Sequence, residues 1–162
     1  MSNIQEAIYA GGCFWGIEHY MQNKEGVIDA VSGYIGGDEE HPTYREVCAD
    51  MTNHAEAVKV SFDSSIISYR ELTKFFFEIH NPEQENGQGM DIGEQYRSEI
   101  FYLNDSQKET AQELIDILNS KGFKVITKLT PAKTFWASED YHQDYFKQHP
   151  NHQICHFYKK RF

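Results

Sequence analysis

The sequence predicts an α+β fold, a two-layer sandwich of packed helices on a mixed β-sheet. Three observations predict it. Alternating segments and segments with helical periodicity follow one another in mixed order along the chain. Each long helical segment carries one apolar stripe, as a helix lying on a sheet requires. No internal repeat, low-complexity tract or Pro/Gly/Ser-rich linker interrupts the 162 residues, so a single domain spanning 1–162 is expected.

The elements follow in order. Residues 4–10, IQEAIYA, read as a short strand, after which Gly11-Gly12 turns the chain. Residues 13–22 read as a helix with Phe14, Ile17 and Met21 on one face. VIDAVSGYIGG (27–37) is a strand running into a glycine turn, and HAEAVKVSF (54–62) alternates cleanly as the next strand. Ser68-x-x-Glu71 is a capping box; Leu72, Phe75, Phe76 and Ile79 form the stripe of its helix, which Asn81-Pro82 ends. SEIFYL (98–103) is a strand. Ser106-x-x-Glu109 is read as the cap of a further helix, with Ala111, Leu114, Ile115 and Leu118 inward and Gly122 as its stop. FKVITKLT (123–130) reads as a strand, and SEDYHQDYFKQH (138–149) as a last helix before Pro150. Two connections, 36–53 and 81–97, are long, polar and glycine-containing, which marks them as candidate functional loops.

Composition narrows the function. A net charge of −10 repels phosphate, so nucleic acid and anionic membrane surfaces are not expected partners. No apolar run reaches the length of a membrane span, and the first residues lack the basic and apolar regions of a secretory signal. A cytoplasmic location is therefore the expectation, with a monomer as the working state. Three cysteines, Cys13, Cys48 and Cys155, are too few for a disulfide framework, and no C-x-x-C pair is present.

Cys13 sits in Ala10-Gly11-Gly12-Cys13-Phe14-Trp15-Gly16. If the strand–glycine–helix pattern holds, the thiol lies at a helix N-terminus. There, free N–H groups and the dipole favour the thiolate over a free thiol of pKa about 8.5. The preceding glycines allow close approach, and Phe14 and Trp15 cannot both enter the core, so at least one borders the sulfur as an apolar wall. The alternative is a packed cysteine after a tight turn, and the segment by itself does not choose. In HAEAVKVSF, Glu56 shares a face with Val58, Val60 and Phe62. If that face is the core face, burial raises the carboxyl pKa and makes a general acid; otherwise Glu56 curls into solvent from the strand end. Tyr44 and Tyr96 in the two long loops can donate hydrogen bonds without carrying charge, and Asp91 stands near Tyr96.

Together, GGCFWG, SGYIGG, PTYREVC, HAEAVKVSFD, QGMDIGEQYRS and EDYHQDYF resemble the A-type peptide-methionine sulfoxide reductases, in the family's order and over most of the chain. The resemblance implies that Cys13 is the nucleophile and that Phe14 and Trp15 receive the S-methyl group. It implies that Glu56 protonates the sulfoxide oxygen, that Tyr44 and Tyr96 hydrogen-bond to it, and that Asp91 supports the substrate. It further implies an α+β fold with the cysteine opening a helix, selectivity for the S-epimer of methionine sulfoxide, free or in peptides, and no metal or organic cofactor. A Cys13 sulfenic acid is then resolved by a second thiol, and thioredoxin or another dithiol reduces the disulfide. Such chemistry repairs oxidised proteins. Cys155, in a polar C-terminal segment (150–162) expected to be mobile, is the expected resolving thiol; Cys48 is read as a packed thiol in a REVC strand. The sequence departs from the family's usual pattern at Asn53, Met90 and Glu94, which removes no catalytic group.

Three rivals follow from the same residues. His142, His149, His152, Cys155 and His156 form a Cys/His-rich cluster, but in no recognised zinc-ligand spacing, so His142 is expected to pack or hydrogen-bond. A Cys–His hydrolase would use Cys13 with His54 as base, but Glu56, two positions on, is not expected to cooperate with that base as its acidic partner. A non-enzymatic peptide-binding domain would use Phe14 and Trp15 as a platform.

Overall fold

The computed structural model describes residues 3–38, 40–48, 52–152, 154 and 156–162. Strand β1 (Ile4–Gly11) leads into helix α1 (Phe14–Gln22), followed by β2 (Val27–Ile35), a short helix α2 (Tyr44–Cys48) and β3 (Ala55–Asp63). Helix α3 (Tyr69–Ile79) precedes a two-residue hairpin, β4 (Gly87–Gln88) with β5 (Asp91–Ile92), and a 3-10 turn at Glu94–Tyr96. Then come β6 (Ser98–Tyr102), helix α4 (Asp105–Ser120), β7 (Lys128–Pro131), β8 (Trp136–Ala137) and a final short helix α5 (Tyr145–Gln148).

Six strands form one sheet in the order β7-β6-β1-β3-β2-β8. All its pairs are antiparallel except β6 with β7, which are parallel because α4 carries the chain back across the sheet. The mixed sheet with packed helices is the predicted α+β architecture. Alternation along the central strands sets two cores. Ala7, Tyr9, Val58, Val60 and Phe62 face Phe14, Ile17 and Met21 of α1, Leu72, Phe76 and Phe77 of α3, and Leu114 and Leu118 of α4. On the opposite face Ile8, Ala10, Ala55, Ala57 and Phe101 form a smaller cluster, covered by Ala132 and Phe135.

Several expectations need correction. The cap of α4 is Asn104, whose side chain accepts the Gln107 amide, rather than Ser106. Of the 123–130 segment only 128–130 is strand, the start of β7 (Lys128–Pro131). Upstream, the Lys124, Val125 and Ile126 amides are spent on Glu83, Asn119 and Pro82, so no ladder forms there. The helix expected over 138–149 is a 3-10 turn (Asp140–His142) and α5, broken at Asp144, whose backbone is left-handed (φ 54°). Tertiary bonds hold that break: Gln143 reaches Ser32, and the Asp144 amide donates to Glu18. Cys48 ends a helix, not a strand, and the residue is exposed.

Sheet register places the site. Antiparallel pairing of β1 with β3 sets the end of β1 beside the start of β3. The end of β2 pairs with that same start (Ile35 with Ala55), and the start of β6 pairs with Gly11. Cys13, Glu56 and both long loops therefore converge at one end of the sheet.

Candidate active site

Cys13 is the N-cap residue of α1 and is half-buried. It borders a cavity of about 200 Å³ with Trp15, Gly16, Asp91, Phe146, His152 and His156. The glycines around it have a physical reason. Gly12 adopts φ +96°, and a Cβ there would lie 2.7 Å from Gln88; a Cβ on Gly16 would lie 2.0 Å from His156 Nδ1.

Glu56 points inward, as its shared face with Val58 and Val60 predicts, and is 1% exposed. Its Oε1 accepts the Phe14 amide at 3.2 Å, while Oε2 has no hydrogen-bond partner among the described residues. Burial pushes this carboxyl up to about 8; the Phe14 bond opposes the shift and the nearby Asp91 charge adds to it. At neutral pH Glu56 thus holds a proton while bonded to the amide of Phe14, the residue that follows Cys13.

Tyr44 on α2 and Tyr96 at the 3-10 turn both lie within the field of Glu56. Burial first pushes both phenols well above the ordinary range, followed by the bond with Cys48 at Tyr44 and by neighbouring charge at Tyr96, so they remain hydrogen-bond donors. Tyr96 also senses Asp91 and Cys13. Both phenols share hydrogen bonds with the Cys48 thiol, which burial and the Glu56 charge push up. Cys48 is exposed as a residue, but its sulfur faces this group.

Phe14 is buried against Tyr34, Tyr44 and His142, with ring centroids 5.7, 6.3 and 5.1 Å away. Of the two rings that follow Cys13, Trp15 is the one that reaches the cavity. It stacks on Tyr145 at 3.7 Å, and its Nε1 donates to His142 Nδ1 at 2.9 Å. Cys155 lies outside the described residues. Among the described residues, no three His, Cys, Asp or Glu side chains are grouped to hold a metal. His142 packs against Phe14 and bonds to Trp15, as expected of it, and His54 Nδ1 accepts the Gly37 amide at 3.0 Å.

A family model described as peptide methionine sulfoxide reductase matches residues 5–162. A protein named peptide methionine sulfoxide reductase MsrA from Pasteurella multocida is 51% identical over 152 residues, 93% of this chain and 87% of that one. The chain belongs to the A-type peptide methionine sulfoxide reductase family. Among solved structures, Mxr1 from Saccharomyces cerevisiae in its reduced form superimposes with a TM-score of 0.89 at 36% identity, covering 97% of this chain and 93% of that one. Mxr1 in complex with Trx2 superimposes with a TM-score of 0.64 at 28% identity, covering 97% and 91%. The protein is thus an oxidoreductase acting on peptide methionine sulfoxide.

The reductase also uses residues that periodicity does not single out. Glu18 on α1 is 1% exposed; it accepts Ser32 Oγ at 2.9 Å and the Asp144 amide at 2.7 Å. Burial raises its carboxyl to about 7. Glu139 accepts the Tyr34 hydroxyl at 2.9 Å and the Tyr44 amide at 3.0 Å, tying α2 to β2. His156 reaches back to the Gly11 carbonyl at 2.7 Å. Each contact spans a sequence distance over which no local pattern operates. The one available signal is the acidic residue at Glu18, on the face next to Ile17 in an otherwise apolar stripe.

Proposed function

We propose that this reductase reduces the S-epimer of methionine sulfoxide, free or in peptides, with Cys13 as nucleophile and Glu56 as acid. The observation that carries the reading is the buried Glu56 carboxyl, protonated up to about pH 8 and bonded to the amide next to Cys13. The Cys13 sulfur attacks the sulfoxide sulfur while Glu56 donates its proton to the oxygen. The adduct then collapses: the oxygen passes to the Cys13 sulfur as the S–S bond and the substrate's S–O bond break, methionine leaves, and Cys13 is left as a sulfenic acid. The thiol proton of Cys13 restores Glu56, so sulfoxide plus thiol gives methionine plus sulfenic acid. Tyr44 and Tyr96 supply neutral donors to the oxygen, Trp15 at the cavity wall receives the methyl group while Phe14 packs in the core beneath the site, and Asp91 orients the polar part of the substrate.

Cys155 then attacks the sulfenic sulfur, forming a disulfide and releasing water, and thioredoxin restores both thiols. One observation supports this assignment: the Cys48 thiol is pushed up by burial and by Glu56, which disfavours it as an attacking thiolate.

Incubation with racemic methionine sulfoxide and dithiothreitol, followed by chiral chromatography, tests the reading. Loss of the S-epimer alone is expected; loss of the R-epimer, or full turnover by Cys13→Ser, overturns it.

A further inference from the structure

We infer that His156 is a positioning residue for the resolution step, seating the C-terminal segment in the glycine cradle around Cys13. The inference rests on the reading of Cys155 as the resolving thiol.

His156 is 5% exposed and lines the same cavity as Cys13. Its Nε2 lies 2.7 Å from the Gly11 carbonyl, 145 residues away in sequence. A carbonyl only accepts, so Nε2 carries the proton and donates. The ring fills the space that two glycines leave open: a Cβ on Gly12 would come within 3.2 Å of Nε2, and one on Gly16 within 2.0 Å of Nδ1. Glycine on both sides of the nucleophile therefore makes room for an imidazole from the far end of the chain.

The ring is not there for packing alone. Its Nδ1 is buried with no hydrogen-bond partner among the described residues. A phenyl or aliphatic side chain would fill the space without burying an unpaired nitrogen. What the imidazole adds is the donor to Gly11. Neighbouring bonds hold the same segment: the Tyr20 hydroxyl donates to the His156 carbonyl at 3.1 Å, and the Lys159 amide to the Glu78 carbonyl at 2.8 Å.

Consecutive Cα atoms are about 3.8 Å apart, so pinning one residue restricts its neighbour. With His156 pinned beside Cys13, the preceding residue in the chain is the resolving thiol. Anchoring raises its effective concentration at the sulfenic acid. In the step itself the Cys155 thiolate attacks the Cys13 sulfur, the S–S bond forms and the S–O bond breaks. The oxygen leaves as water, taking up the proton of the Cys155 thiol.

Reduced full-length protein is mixed with excess methionine sulfoxide without reductant, quenched with an alkylating reagent, and scored for methionine formed and thiols lost. His156→Ala and His156→Phe are expected to lower the ratio of disulfide closure to methionine formation about tenfold or more. His156→Gln, whose amide N–H can donate to the Gly11 carbonyl, is expected to recover part of that ratio. Gly16→Ala should lower the ratio in the natural protein yet add nothing in the His156→Ala background, where the space is vacant. A natural ratio in His156→Ala, or His156→Gln no better than His156→Phe, overturns the inference. Cys155→Ser separates the two readings. If it still closes a disulfide, the resolving assignment fails and this inference with it; if it cannot, while His156→Ala closes normally, only the His156 role fails.

Discussion

Glu56 Oε1 accepts the backbone amide of Phe14 at 3.2 Å, joining a carboxyl on the central strand to the residue that follows Cys13. The bond crosses 42 positions of sequence and fixes the acid relative to the thiol. It also leaves Oε2 free of protein partners among the described residues, so a proton there can be handed to substrate.

Glu56→Gln keeps the shape of that contact and removes the proton. The first turnover is expected to slow about 10²–10⁴-fold. In the natural protein the rate should hold at neutral pH and fall as pH rises through about 8, where the carboxyl ionises. Rapid-quench measurement of methionine formation against pH checks both; an unchanged rate in Glu56→Gln removes this residue as the acid.

Tyr44→Phe and Tyr96→Phe each delete one neutral donor near Glu56. Each is expected to slow the same step by about 3–10-fold, the worth of one net hydrogen bond. The ring of Tyr44 would keep its contacts with Phe14 and His142, so thermal unfolding should hardly move.

Trp15→Phe removes the indole N–H from His142 Nδ1 and weakens the stack on Tyr145. It leaves a buried histidine nitrogen unpaired, at a cost of about 1–3 kcal/mol. Calorimetry should show a drop in Tm of about 2–12 °C, and KM for a sulfoxide peptide should rise.

Stability should depend on pH in a stated direction. Glu18 and Glu56 keep their protons in the folded protein up to about 7 and about 8, against 4.5 as the ordinary value. Their contribution is complete below about pH 4.5 and is lost as pH rises through those folded values. Urea unfolding at steps between pH 5 and 8 should show the decline, and Glu18→Gln should flatten it.

What the sequence made legible has a common cause. The inward face of Glu56, the stripe of α1 and the cap at Ser68 are set by periods of two or 3.6 residues and by local caps. The gathering of Tyr44, Tyr96 and Asp91 about Glu56 was legible through family motifs, since no spacing along the chain implies it. Where the reading failed, long-range bonds outweighed local preference. Gln143 and Asp144 break an otherwise helical segment because Ser32 and Glu18 recruit them. Residues 124–126 forgo strand pairing because the 81–97 connection and Asn119 take their amides. Cys48 was misplaced because five residues, Tyr44–Cys48, are too short a helix to show a period.

The outer strands of the sheet carry a further consequence. β7 runs for four residues and stops at a proline; β8 runs for two. Past β8, the side chain of Gln143 engages both the amide and the carbonyl of Ser32, satisfying the rim of β2 at that point. A long bare margin would let another extended chain zip on as an extra strand; blunted at both sides, this sheet offers little such margin.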